Sequence, residues 1–168
     1  MSALEPTPDP TPAATAQGDD ASARGEDEAD PKALLTSFVG TWEGPTTLFL
    51  HGTDTRSDTM RATVRSVAGG SFVSVAYTWG HEGAPQDGEL MLCADTAAKC
   101  WRGVWCDSFH QSGSFLQSEG PLDGAGGCVE VTGAFYEVWK WVTRLAVEGD
   151  NLVLTMTTVS PKIGRAHV

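Results

Sequence analysis

The sequence predicts an all-β protein: a single antiparallel up-and-down β-barrel of about nine to ten strands, preceded by a short N-terminal helix. Three observations carry that prediction. Short runs rich in β-branched and aromatic residues recur at nearly even intervals from residue 46 to residue 160. Turn signals separate them, namely HGTD, AGG, HEGAPQDG, DTAAK, PLDGAGG and EGDN. Several runs alternate with the period of two that a half-buried strand requires. In SFVSVAYTW, Val73, Val75, Tyr77 and Trp79 oppose Phe72, Ser74, Ala76 and Thr78, and in NLVLTMTTV the residues Leu152, Leu154 and Met156 share a face. A meander this long closes into a barrel to remove its edges.

The chain divides into three parts. Residues 1–30 carry −7 of the net charge of −11, contain Pro6, Pro8, Pro10 and Pro12, and have no aromatic residue. Such a segment buries too little apolar surface to offset the entropy of ordering it, so it reads as a disordered acidic tail. It has no apolar stretch of the kind that marks a secretory leader. No run approaches the roughly 18 apolar residues of a membrane helix. The expected location is cytoplasmic, with no membrane partner. The near-balanced charge of the remainder gives no basic footprint for nucleic acid.

Residues 31–161 form the expected barrel domain. In PKALLTSFVG, the apolar positions Leu34, Leu35, Phe38 and Val39 have helical spacing, with Pro31 in the first turn and Gly40 as a stop. The strand runs then follow in order: TTLFLH, TMRATVRSV, SFVSVAYTW, GELMLC, CWRGVWCDSFH, SGSFLQSEG, CVEVTGAFY, WKWVTRLAVEG and NLVLTMTTVS. Of the four cysteines, Cys93 and Cys100 flank the DTAAK turn, where a disulfide across a hairpin is geometrically possible. In a cytosolic chain reduced thiols are the expectation. No C-x-x-C pair points to zinc, and no cofactor is demanded by any motif.

Residues 162–168 are expected to be foreign to the domain. The reading frame of a common short-read sequencing adapter gives Ile-Gly-Arg-Ala-His-Val followed by a stop, which matches 163–168, and its leading bases complete the codon of Lys162. Scars of this kind are excluded from fold reasoning. On that reading the barrel lacks its last strand, and the chain as written is expected to be aggregation-prone through its open edges.

Four segments resemble a known family: FVGTWEG (38–44), DTAAKCWRGVWCDSFH (95–110), VTGAFYEVWKWVTRLAV (131–147) and DNLVLTMTTVSP (150–161). They are similar to the bacterial family called domain of unknown function 1579. The resemblance implies a lipocalin-like, calycin-type barrel over about residues 34–161, with one further strand at the end and no established common activity. GTWEG also resembles the opening of nitrobindin-like haem barrels. That resemblance implies a haem-ligating histidine near the C-terminal end of the barrel, whereas the last histidine before residue 162 is His110.

The segment GVWCDSFHQSG concentrates reactive side chains. If 100–110 is one strand, Trp101, Trp105, Asp107 and Phe109 share one face, while Cys106, Ser108 and His110 share the other. A Ser–His–Asp relay within the segment then fails, because the base must touch both the nucleophile and the acid. Asp107 is expected to cap a turn or to pair with Arg102 or Arg144. His110 is expected to bond to backbone, and Cys106 to be an inert small hydrophobe.

Six tryptophans are many for this length. Trp42 is expected to plug the closed end of the barrel, with Glu43 on the surface. Trp139 and Trp141 fall on one strand face as an aromatic stripe. The leading expectation for function is non-enzymatic binding of a small apolar or aromatic molecule by Trp105, Asp107, Ser108, His110 and Trp141. Alternatives are a haem barrel, an enzyme using Asp107 or His110 as general base, and a purely structural domain. No catalytic or metal-ligating residue is assigned.

Overall fold

The computed structural model describes residues 30–49, 55–111, 113–122, 127–136 and 138–161. The acidic tail up to residue 29 and the segment 162–168 lie outside the described residues. Helix α1 spans Pro31–Ser37. Asp30 caps it, its carboxylate accepting from the Lys32 backbone N–H at 3.0 Å, and Pro31 sits in the first turn, where its missing N–H costs nothing. Nine strands follow: β1 (Gly40–Phe49), β2 (Thr55–Val67), β3 (Phe72–His81), β4 (Ala84–Asp95), β5 (Cys100–Asp107), β6 (Leu116–Pro121), β7 (Cys128–Phe135), β8 (Trp139–Glu148) and β9 (Asn151–Val159). Each pairs antiparallel with the next, so the sheet order is the sequence order. The result is a nearly closed up-and-down barrel.

Up-and-down topology gives the barrel two unlike ends. At one end lie the starts of β1, β3, β5, β7 and β9. Helix α1 packs there, against β3, β4 and the short 3₁₀ turn at Ala68–Gly70. It buries Leu35 and Phe38, and Trp42 donates its indole N–H to the Phe38 carbonyl at 3.0 Å. That end is plugged, as the position of Trp42 predicts. The interior above it is filled by Val64, Val73, Val75, Leu90, Leu92, Trp101, Val129, Val131 and Leu145. Burying each such side chain contributes about 1.5–3 kcal/mol.

Among the described residues no helix lies over the opposite end. Most of the exposed large hydrophobic residues gather there: Phe49, Phe109, Phe115, Tyr136, Val138, Trp139 and Val159 all lie at strand ends or connections on that side. The predicted stripe of Trp139 and Trp141 is therefore split by depth. Trp141 is 4 % exposed within the barrel and Trp139 is 42 % exposed at its rim.

Several boundaries differ from the sequence pattern. HEGAPQDG reads as a loop, but β3 and β4 continue through it and meet in a two-residue turn at Glu82-Gly83. Both residues have positive φ, 51° and 79°, which suits the twist of a hairpin. The run CWRGVWCDSFH does not stay extended to His110, because β5 ends at Asp107. Across the DTAAK turn, Cys93 faces Arg102 while Cys100 faces Asp95, so the two thiols are offset by two positions. All four cysteines are free.

Among the described residues, β1 and β9 are not paired with each other. A groove of about 500 Å³ lies between them, bordered by Trp42, Pro45, Met60, Ala62, Leu152 and Leu154. The two edges are unequally guarded. β1 carries Glu43 and Pro45, both features that discourage strand addition, whereas β9 has neither a charge nor a proline.

Gly88 on β4 pairs with Tyr77 on one side and Asp107 on the other. A Cβ there would collide with the Tyr77 ring and lie 2.8 Å from the Asp107 Cβ. The missing side chain is what lets those two residues pack across the strand. Gly88→Ala is expected to destabilise the fold by about 1–3 kcal/mol through overpacking. Urea denaturation checks this, and an unchanged midpoint would show that the strand yields without cost.

Candidate functional site

The site begins where β5 runs out. Along this strand Trp101, Trp105 and Asp107 are buried in alternation. Asp107 is the last, and its carboxylate, with a side chain 2 % exposed, has no solvent to satisfy it. The chain solves this by turning at once. The backbone N–H groups of Phe109 and His110 donate to one carboxylate oxygen, the former at 3.1 Å, and His110 Nδ1 meets the other at 2.8 Å. Asp107 thus caps its own turn, as expected, and Arg102 and Arg144 are engaged elsewhere, with Asp95 and Glu148.

This corrects the expectation that Asp107 points away from His110. Strand alternation stops at Asp107, and a turn carries His110 back to the same side. Ser108 does not follow. It is exposed, donates to Gln86 Oε1 at 2.8 Å and accepts from the Asp87 N–H at 3.0 Å. Asp107 and His110 are together, and Ser108 is outside the barrel wall. A serine relay within this segment remains unassembled, for a different reason than alternation gives.

His110 lies over two indoles. Its ring centroid is 5.5 Å from that of Trp105 and 4.9 Å from that of Trp141. Trp105 and Trp141 are stacked, with centroids 4.6 Å apart and planes 15° from parallel. Such contacts contribute about 0.5–1.5 kcal/mol beyond burial. Phe135 closes on Trp141 at 4.9 Å, and Phe109 bridges His110 to Trp79 and His81. Trp105 is 1 % exposed and donates its indole N–H to the Tyr77 hydroxyl at 2.7 Å. Among the described residues the Tyr77 proton has only the Met156 sulfur, at 4.0 Å, a weak acceptor. The Trp141 indole N–H is buried with no partner among the described residues.

A cavity of about 130 Å³ opens at this end of the barrel. Tyr77, Asp107, His110 and Trp141 line it, with Thr46, Thr47, Leu48, Met60, Trp79, Leu154 and Met156. Of the five residues the sequence nominates, Asp107, His110 and Trp141 border the cavity. Trp105 backs it through Trp141 and Tyr77, and Ser108 is remote from it. The volume is close to the roughly 150 Å³ of an apolar cavity that admits benzene. It is too small for a porphyrin, so this cavity does not fit the haem alternative. Among the described residues no group of three His, Cys, Asp or Glu side chains is placed to hold a metal ion.

Sequence reasoning passes over Tyr77, Met60 and Met156 as site residues. Tyr77 has one legible signal: it continues the inward face of Val73 and Val75 with a polar tip. Burial pushes its phenol well above the ordinary value of 10, an effect the hydrogen bond from Trp105 opposes in part. Tyrosinate therefore forms in the unfolded chain from about pH 10 while the folded protein keeps its proton, so stability falls as pH rises above about 10. Tyr77→Phe is expected to lower stability by about 1–3 kcal/mol at neutral pH, leaving the Trp105 N–H unpaired, and to flatten the alkaline decline. Denaturation midpoints at pH 7, 9 and 10.5 test both effects. An equally steep decline in the variant would contradict the assignment.

No curated protein matches the chain in sequence. A family model described as a protein of unknown function, DUF1579, matches residues 27–164, which takes in α1, all nine strands and every residue of the cavity. The chain belongs to the DUF1579 family.

Proposed function

We propose that this barrel binds a small, largely apolar or aromatic molecule in the cavity at its open end. The observation that carries this reading is a cavity of benzene scale walled by Met60, Trp79, Leu154 and Met156, beside the Trp141 indole N–H, which is buried with no partner among the described residues. A buried donor left unpaired costs about 1–3 kcal/mol, so a ligand that satisfied it would recover that free energy. The walls suit such a ligand. Met60, Leu154 and Met156 are apolar and adaptable, and Trp79 and Trp141 present aromatic surface. The apolar rim of Phe49, Tyr136 and Trp139 surrounds the approach.

A second reading is acid–base chemistry at His110. Its support is the contact with Asp107, which has the arrangement of a base and its orienting carboxylate. The Ser108 hydroxyl is engaged outside the barrel, so this reading involves proton transfer by the imidazole rather than attack by that serine.

Toluene is a suitable first probe because it matches the cavity in size and carries no polar group. Titration is expected to change tryptophan emission saturably and to raise the melting temperature, with about 2.7 kcal/mol of added stability at a hundredfold excess over Kd. A linear, unsaturable emission change with no thermal shift would contradict the proposal.

A further inference from the structure

The polar atoms of the cavity specify more than an apolar occupant. Three of them are under-used. The Tyr77 hydroxyl accepts from Trp105, but among the described residues its own proton has only the Met156 sulfur at 4.0 Å. The Trp141 indole N–H has no partner among the described residues. His110 is the third. A carboxylate only accepts hydrogen bonds, so the imidazole nitrogen 2.8 Å from Asp107 is the one that carries the proton. In the neutral ring this leaves Nε2 as an acceptor, with no protein partner among the described residues. Two donors and one acceptor thus belong to residues that border a single cavity.

We infer that the ligand class is the monocyclic phenols, with the aromatic ring among Met60, Trp79, Leu154 and Met156 and the hydroxyl at Tyr77, Trp141 and His110. The inference rests on the proposed binding reading and narrows it. A hydroxyl has one hydrogen to donate and two lone pairs to accept with. It therefore answers His110 Nε2 as a donor, and Tyr77 and Trp141 as an acceptor. The Trp141 and His110 rings are neighbours, 4.9 Å apart between centroids, and both border the cavity. A carbonyl or an ether supplies no hydrogen for His110. An ammonium group supplies no lone pair for Tyr77 or Trp141. A single ring is what about 130 Å³ accommodates.

The test compares phenol, anisole and toluene on the wild-type chain and on Tyr77→Phe and Trp141→Phe, by calorimetry and tryptophan emission. Phenol is expected to bind at least as tightly as toluene, although water holds its hydroxyl more strongly. Anisole, which cannot donate to His110, is expected to bind at least tenfold more weakly than phenol. Tyr77→Phe is expected to lower phenol affinity about fivefold to tenfold while leaving toluene within about threefold, which also shows that the variant is folded, and Trp141→Phe, which also trims the aromatic wall, is expected to weaken phenol more than toluene. If toluene binds while phenol binds more weakly, or if the variants weaken both ligands equally, the phenol inference is overturned and the binding reading stands. If neither phenol nor toluene binds, both fall.

Discussion

The Asp107 carboxylate governs the open end of this barrel. A charged group this deeply buried is tolerated only when its lone pairs are taken up. The chain meets that demand locally, by ending β5 and folding the next three residues around the carboxylate. The bond to His110 Nδ1 then fixes where the imidazole lies, and the imidazole covers the Trp105–Trp141 stack. Gly88 is the permissive partner, since only a residue without a side chain lets Asp107 and Tyr77 share the space across β4. The position of His110, the seating of Tyr77 and the shape of the cavity all depend on one short-range electrostatic requirement.

The two ends of the barrel embody different balances. At the plugged end α1 covers the apolar interior and the Trp42 indole is satisfied by a backbone carbonyl. At the open end Phe49, Tyr136 and Trp139 stay exposed. Among the described residues a buried indole N–H without a partner occurs at each end, Trp101 at the plugged one and Trp141 at the open one. The exposed rim is a local inconsistency of the kind where function is usually found in an otherwise consistent fold. The same contrast holds around the sheet, where β1 is guarded by Glu43 and Pro45 and β9 is left uncharged.

The strands were legible because their signal is local and repeated. Period-two runs with turn residues between them locate all nine, and Leu152, Leu154 and Met156 face the core as their spacing requires. Boundaries were harder. The Glu82-Gly83 hairpin is hidden inside a polar stretch, because Pro85, Gln86 and Asp87 look like loop yet remain in register with β3. The site was half legible. Trp105, Asp107 and Trp141 lie inward by alternation alone. Alternation alone puts His110 on the wrong side, because it runs past the point where a buried aspartate makes a turn more favourable than another extended residue. Aspartate followed within three positions by a polar residue is a known turn former, and that was the available signal. Tyr77 and Met156 also lie inward by alternation, but which inward residues meet at one cavity is set by pairing between strands, which residue spacing does not encode.

Asp107 holds the His110 ring through Nδ1, which leaves Nε2 as the acceptor of the neutral imidazole. Long-range proton–nitrogen NMR correlations on ¹⁵N-histidine-labelled protein read the tautomer directly. Neutral His110 is expected to carry its proton on Nδ1, and Asp107→Asn to shift the ring toward the Nε2-protonated form usual in solution. A wild-type His110 already protonated at Nε2, or a tautomer indifferent to Asp107→Asn, would contradict it.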